Sequence, residues 1–186
     1  MADFKKSFDE IIKFEGEYSN DPDDLGGETF MGISRIHHPD WAGWGILKNE
    51  KIDKNSFLLV DLVKNFYKTN YWNRFLGDNI PGMAQEIATE LFDISINMGV
   101  HTAVKMIQEG LNILNRNQKD YNDLFIDGVF GEKTLLTLIL HLDKEKGDPK
   151  TLKRILNALQ ASKYLSIVRR NPTQEKFIRG WIRRTI

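Results

Sequence analysis

Three observations predict a mainly α protein with at most one small β-hairpin. Apolar residues recur at helical spacing in six or seven segments, Gly and Pro punctuate the joins, and no strand–helix–strand unit is visible. At 186 residues the chain suits one domain, with room for two lobes. A chain of this size buries roughly 70% of the surface its unfolded form exposes, so its core needs no disulfide or metal staple.

At the N-terminus, Phe4, Phe8, Ile11 and Ile12 share one helical face, with Asp3 placed to cap, and the helix is expected to stop near Gly16. Residues 19–29 carry turn chemistry, with Asn20-Asp21-Pro22 and Leu25-Gly26-Gly27 as breakers. Glu28 to Ser34 offers short extended structure, and His37 to Trp44 reads as a further loop. Its Trp41 and Trp44 suit a sugar-stacking wall or a loop anchor equally. A helix from Asn55 or Ser56 to about Tyr71 carries Phe57, Val60, Val63, Phe66 and Tyr67, and ends in polar-tipped aromatics, Tyr71 and Trp72. Pro81 suits the first turn of a central helix ending at Gly99 and apolar nearly all round. Asp93 and Asn97 lie four apart on it, as structural hydrogen bonders or as part of a cleft. His101 or Thr102 is placed to cap the next helix, Ala103 to Leu114. Asp127-Gly128 marks a tight turn that orders the C-terminal lobe rather than doing chemistry. Helices to about Leu142, from Lys150 to Arg170, and after Pro172 complete the chain.

Composition narrows the function. Lys+Arg and Asp+Glu are both 26, so net charge names no partner. Arg169, Arg170, Arg179, Arg183 and Arg184 crowd the end, which fits a solvated face better than an anionic polymer; no nucleic-acid partner is expected. With no cysteine, thiol catalysis and thiolate metal sites are excluded. His37 and His38 are adjacent and point apart, so neither a metal nor another cofactor is expected. No P-loop, Gly-x-Gly-x-x-Gly or Gly-x-Ser-x-Gly motif occurs. No apolar run approaches the roughly 20 residues of a membrane span, and Met1 to Phe8 contains no signal-peptide core.

The most unusual stretch is Phe14 to Ser34. Glu15, Glu17, Asp21, Asp23, Asp24 and Glu28 crowd a loop a core cannot use. Glu15 is placed at a helix C-terminal end beside Phe14 and Ile11. The helix dipole and the apolar neighbours both disfavour its charged form, which is what a general acid near neutral pH requires.

Glu15-Gly16-Glu17-Tyr18, Asp21-Pro22-x-Asp24-x-Gly26-Gly27-x-Thr29 and Gly32-Ile33-Ser34 resemble the signature of glycoside hydrolase family 108, bacterial and prophage N-acetylmuramidases. Leu91 to Gly99 resembles that family's central-helix motif. Ile126 to Thr134, and Asn171-Pro172 through Phe177-x-x-Gly180-Trp181, resemble its C-terminal peptidoglycan-binding part. The matches span nearly the whole chain in order. The family pattern usually reads Glu-Gly-Gly-Tyr, and here Glu17 replaces the second Gly.

The resemblance implies a lysozyme-like helical fold, with a catalytic muramidase part over 1–98 and a helical peptidoglycan-binding part over 99–186 packed on it as one globular unit. It implies cleavage between N-acetylmuramic acid and N-acetylglucosamine, with Glu15 as the acid. A looser likeness to phage-type lysozymes, with an Asp nine residues after the Glu and a Thr beyond, adds Asp24 and Thr29; Asp23 and Glu28 are rivals for the second carboxylate. Tyr18, Asn97, Tyr71 and Trp72 are candidates for binding sugar. The implied partner is the peptidoglycan glycan strand, met by a monomer. Synthesis in the cytoplasm without a classical signal peptide then requires a holin or a dedicated secretion system to reach the cell wall or periplasm, for prophage lysis as an endolysin or for wall remodelling during export. Some members are called secretion activator proteins. A non-catalytic wall-binding or secretion-accessory protein, and a lytic transglycosylase, are the alternatives.

Overall fold

The structure, a computed structural model, describes residues 1–12, 18–19, 27–48, 56–143 and 148–185. Helix α1, Phe4–Ile11, starts where Asp3 accepts a hydrogen bond from the Lys5 N–H, the expected cap. It buries Ser7, Phe8 and Ile11. Three two-residue strands come next: β1, Tyr18–Ser19; β2, Thr29–Phe30; and β3, Ile33–Ser34. They form one antiparallel sheet in the order β1-β2-β3, pairing Tyr18 with Phe30 and Phe30 with Ile33. Met31 and Gly32 make the two-residue turn between β2 and β3, both with positive φ, as a hairpin's right-handed twist favours. The hairpin is thus extended by a strand that the loop chemistry of residues 19–29 hid.

Helix α2, Gly43–Leu47, is a short turn within a segment expected to be loop. Helix α3, Phe57–Asn70, buries Leu59, Val63, Phe66 and Tyr67. The Tyr67 hydroxyl donates to the Met31 carbonyl at 2.7 Å, tying α3 to the hairpin turn. Short 3₁₀ turns at Trp72–Phe75, Gly77–Asn79 and Gly82–Ala84 lead to the central helix α4, Gln85–Met98. Helix α5, Val100–Leu114, begins directly after Gly99. This corrects the start expected at Ala103. Gly99 takes φ +85°, which a residue with a Cβ adopts at a cost, so the chain turns in a single residue and needs no polar cap from His101 or Thr102.

Helices α6, Glu132–Leu142; α7, Pro149–Arg170; and α8, Glu175–Arg183, complete the fold. Asp148 caps α7 through the Lys150 N–H, and Pro149 sits in its first turn. One continuous apolar core runs from Phe8 and Ile11 through Trp72, Leu91, Phe92 and Ile107 to Leu152 and Leu156. Helix α4 lies at its centre, packed on α1, α5 and α7. Helix α8 has no fully buried residue and lies on α7 through its aromatic side.

Candidate active site and the cleft beside it

Glu15 and Asp24, the expected acid and its helper, lie outside the described residues, as does the rival Asp23. The frame on either side of them is described. Helix α1 runs to Ile11, four residues before Glu15, and β2 starts at Thr29, five residues after Asp24. Thr29 is half-buried and pairs with Ser19, while Tyr18 pairs with Phe30, so β1 and β2 hold Tyr18 and Thr29 on adjacent strands but on opposite faces of the sheet. The exposed Tyr18 donates its hydroxyl to Glu28 Oε1 at 3.3 Å. The other Glu28 oxygen accepts from Arg35. A carboxylate held between a guanidinium and a phenol ties β1 to the residues beside β3.

The remaining sugar-binding candidates part company. Trp72 has 0% exposure, so it is a core residue and not a cleft wall. Its indole N–H donates to Asp78 Oδ1 at 2.8 Å, and Phe4, Phe75 and Phe92 meet its ring edge-on. A polar-tipped aromatic can be wholly buried once its N–H finds an acceptor, and Asp78 supplies it. Tyr71 is half-buried, stacked on Tyr67. Asn97 is exposed, and its amide donates to the Asp93 carbonyl and to Asp93 Oδ1, at 2.8 and 3.1 Å.

Trp41 and Trp44 act as loop anchors. Trp44 is buried and donates to the His38 carbonyl at 2.7 Å. The Trp41 ring packs on Phe30, Trp44 and Phe66. His38 meets Phe66 edge-on, and burial followed by neighbouring His37 pushes its pKa down. Among the described residues no three His, Asp or Glu side chains gather as a metal site, and no helix is long and apolar enough to cross a membrane.

The Asp127-Gly128 turn is structural. The Gln108 amide of α5 donates to Asp127 Oδ1 at 2.8 Å, and its oxygen accepts from the Gly128 N–H at 3.0 Å. The bond from Gln108, followed by one from the Val129 N–H, holds the Asp127 carboxyl below its ordinary pKa.

A cleft of about 570 Å³ opens between the end of α1, α4, α7 and α8. Glu10, Ile11, Glu90, Lys153, Phe177 and Trp181 are on its walls. Glu90 is 6% exposed. Burial, reinforced by Asp93 nearby, pushes its pKa up to about 8, so it is largely protonated at neutral pH. With the Asn157 amide nitrogen turned toward it, that nitrogen donates to both Glu90 oxygens, at 2.8 and 3.0 Å. Sequence reasoning passed over Glu90, although Glu90, Asp93 and Asn97 form a polar stripe at i, i+3 and i+7 of the central helix. That stripe was the available signal.

Comparison with known proteins agrees with this frame. Residues 8–99 match the family Glycosyl hydrolase 108, and residues 102–186 match the family Predicted Peptidoglycan domain. The structure of Brucella abortus SagA is similar over 98% of this chain and 88% of that one, at 25% identity and a TM-score of 0.62. No curated protein sequence matches. The mainly α, lysozyme-like fold is therefore shared with a solved protein, and the two matched families direct the chain at peptidoglycan as a glycoside hydrolase or binder. The chain belongs to the glycosyl hydrolase 108 family over residues 8–99, joined to a predicted peptidoglycan domain over residues 102–186.

Proposed function

We propose that the protein is an N-acetylmuramidase, hydrolysing the bond from N-acetylmuramic acid to N-acetylglucosamine with Glu15 as general acid. The observation carrying this reading is the Glycosyl hydrolase 108 match, which spans Glu15, Asp24 and Thr29. The described frame supports it: a capped helix leads toward Glu15, and a small sheet holds Tyr18 and Thr29. In this mechanism Glu15 gives its proton to the glycosidic oxygen as the C1–O bond breaks. Asp24, aided by Thr29, either takes the proton from a water attacking C1 or stabilises the positive charge developing there. A carboxyl separation of about 6.5–9.5 Å would accompany inversion, and about 5–5.5 Å retention. The site of action is the cell wall, reached through a holin or a secretion system.

Digestion of purified peptidoglycan followed by mass spectrometry tests the proposal. Hydrolysis adds one water and leaves reducible muramic acid ends. Anhydro-muramyl ends would make the protein a lytic transglycosylase. Intact glycan bound to the protein would make it a wall-binding accessory.

A further inference from the structure

The cleft between α1, α4, α7 and α8 is built from unlike groups. One side is aromatic: the Trp181 ring lies on Tyr164 at 5.1 Å and 23°, and Phe177 continues the stack at 5.9 Å. The opposite side is the polar stripe of α4. The buried Glu90 carboxyl stands there, backed by the Asn157 amide, in a wall that also includes Thr89 and Asp93. Lys153 of α7 borders it, and Glu10 of α1 lies at its edge. An aromatic wall facing a few fixed polar groups, in a concavity of this size, is the usual form of a small-ligand site. Aromatic faces suit the apolar C–H side of a sugar ring, while a carboxyl suits its hydroxyls. Asp93 is matched by Arg184, and with the buried Glu90 carboxyl protonated Glu10 alone faces the cations Lys153 and Arg183. That excess favours a ligand carrying an acid.

We propose that this cleft is a saccharide site that takes an N-acetylated sugar bearing a carboxylate. Phe177 and Trp181 face the ring, Glu90 binds its hydroxyls, and Lys153 lies opposite its acid. The ligand class rests on the proposed peptidoglycan function; the cleft geometry does not. None of these wall residues is Glu15, Asp24 or Thr29, so each can be varied with those three left intact.

The test is a nuclear magnetic resonance titration of the full chain with the peptide-free disaccharide of N-acetylglucosamine and N-acetylmuramic acid. The Trp181 indole signal, identified by its loss in Trp181→Phe, is expected to move. Trp181→Ala should weaken binding at least about tenfold. Lys153→Ala should weaken the muramic disaccharide at least about threefold and leave chitobiose, which lacks the acid, unchanged. An unmoved Trp181 signal at millimolar disaccharide overturns the site. Equal effects of Lys153→Ala on both sugars overturn the carboxylate assignment. Lys153→Ala alters only a partly exposed side chain, so it remains informative if Trp181→Ala fails to fold. Wall digestion is run in parallel. Digestion with a silent Trp181 removes this site and keeps the enzyme, whereas a responsive Trp181 without digestion removes the enzyme and keeps the site.

Discussion

Asp93 on α4 accepts a hydrogen bond from Arg184, just past the end of α8, at 3.0 Å, joining residues 91 positions apart. The same carboxylate accepts from Asn97 and from Gln160 of α7. Three helices thus meet on one acidic side chain, and both members of the pair are mostly shielded from water. Asp93→Ala removes the one carboxylate that Arg184, Gln160 and Asn97 share. Its expected cost is on the order of 3 kcal/mol. Arg184→Ala should cost less, about 1–2 kcal/mol, because Asp93 keeps its amide partners. Urea unfolding of the two variants measures both.

Glu90 makes stability depend on pH. Its folded pKa of about 8 lies above the ordinary value of 4.5, so the native state holds this proton more tightly than the unfolded chain. That contribution is fully present below about pH 4.5 and is lost as pH rises through about 8. The gap corresponds to roughly 4–5 kcal/mol across the window. Glu90→Gln, which has no proton to lose, should flatten the fall. Thermal melts of wild type and variant between pH 5 and 9 compare the slopes; parallel curves would remove Glu90 as the source.

Trp72 is a packing residue. Trp72→Ala should cost about 3–5 kcal/mol through the cavity it leaves. Gly77 tests the same contact from the other side, since a Cβ there would lie 2.3 Å from the Trp72 ring. Gly77→Ala should therefore destabilise as well, and the pair should couple by more than about 0.5 kcal/mol in a double-mutant cycle. In neither variant should the folded fraction lose affinity for glycan.

Gly128 takes φ +75°, and a Cβ on it would meet His101 Nδ1 at 2.3 Å. Gly128→Ala should cost about 1–3 kcal/mol for the backbone conformation alone, plus the clash. Adding His101→Ala should recover the clash and leave the backbone cost. Chemical denaturation separates the two.

Glu15→Gln should slow wall hydrolysis about 10²–10⁴-fold, the usual contribution of a general acid. Sacculus binding and melting temperature should stay near those of wild type. Equal clearing by both proteins would take Glu15 out of the mechanism.

Most of the helical frame was legible in the chain because burial writes itself as spacing. Phe4, Phe8 and Ile11, or Leu152 and Leu156, recur at helical intervals and are buried as that interval requires. Asp3 was readable because a cap is a local bond. Helix α2 was not, since Gly43 and Gly45 speak against a helix; Gly43 is demanded by the Trp41 ring, which a Cβ would strike. Trp72 was misplaced because polar-tipped aromatics serve cores and clefts alike, and only its distant partners decide. For Glu90 the opposite held. The residue was visible, but its raised pKa comes from burial by segments far away in sequence. Glu15 was singled out by its place at a helix end and by motif likeness, and residues 13–17 lie outside the described structure.

Helix α4 ends the first family segment, yet its faces are covered largely by α5 and α7 of the second. A nick in the peptide bond after Met98 should therefore release neither half. The two fragments would stay associated through Leu91, Ile94, Ile107 and Leu156 and part only under denaturant, so co-expressed halves should complement one another where either alone would aggregate.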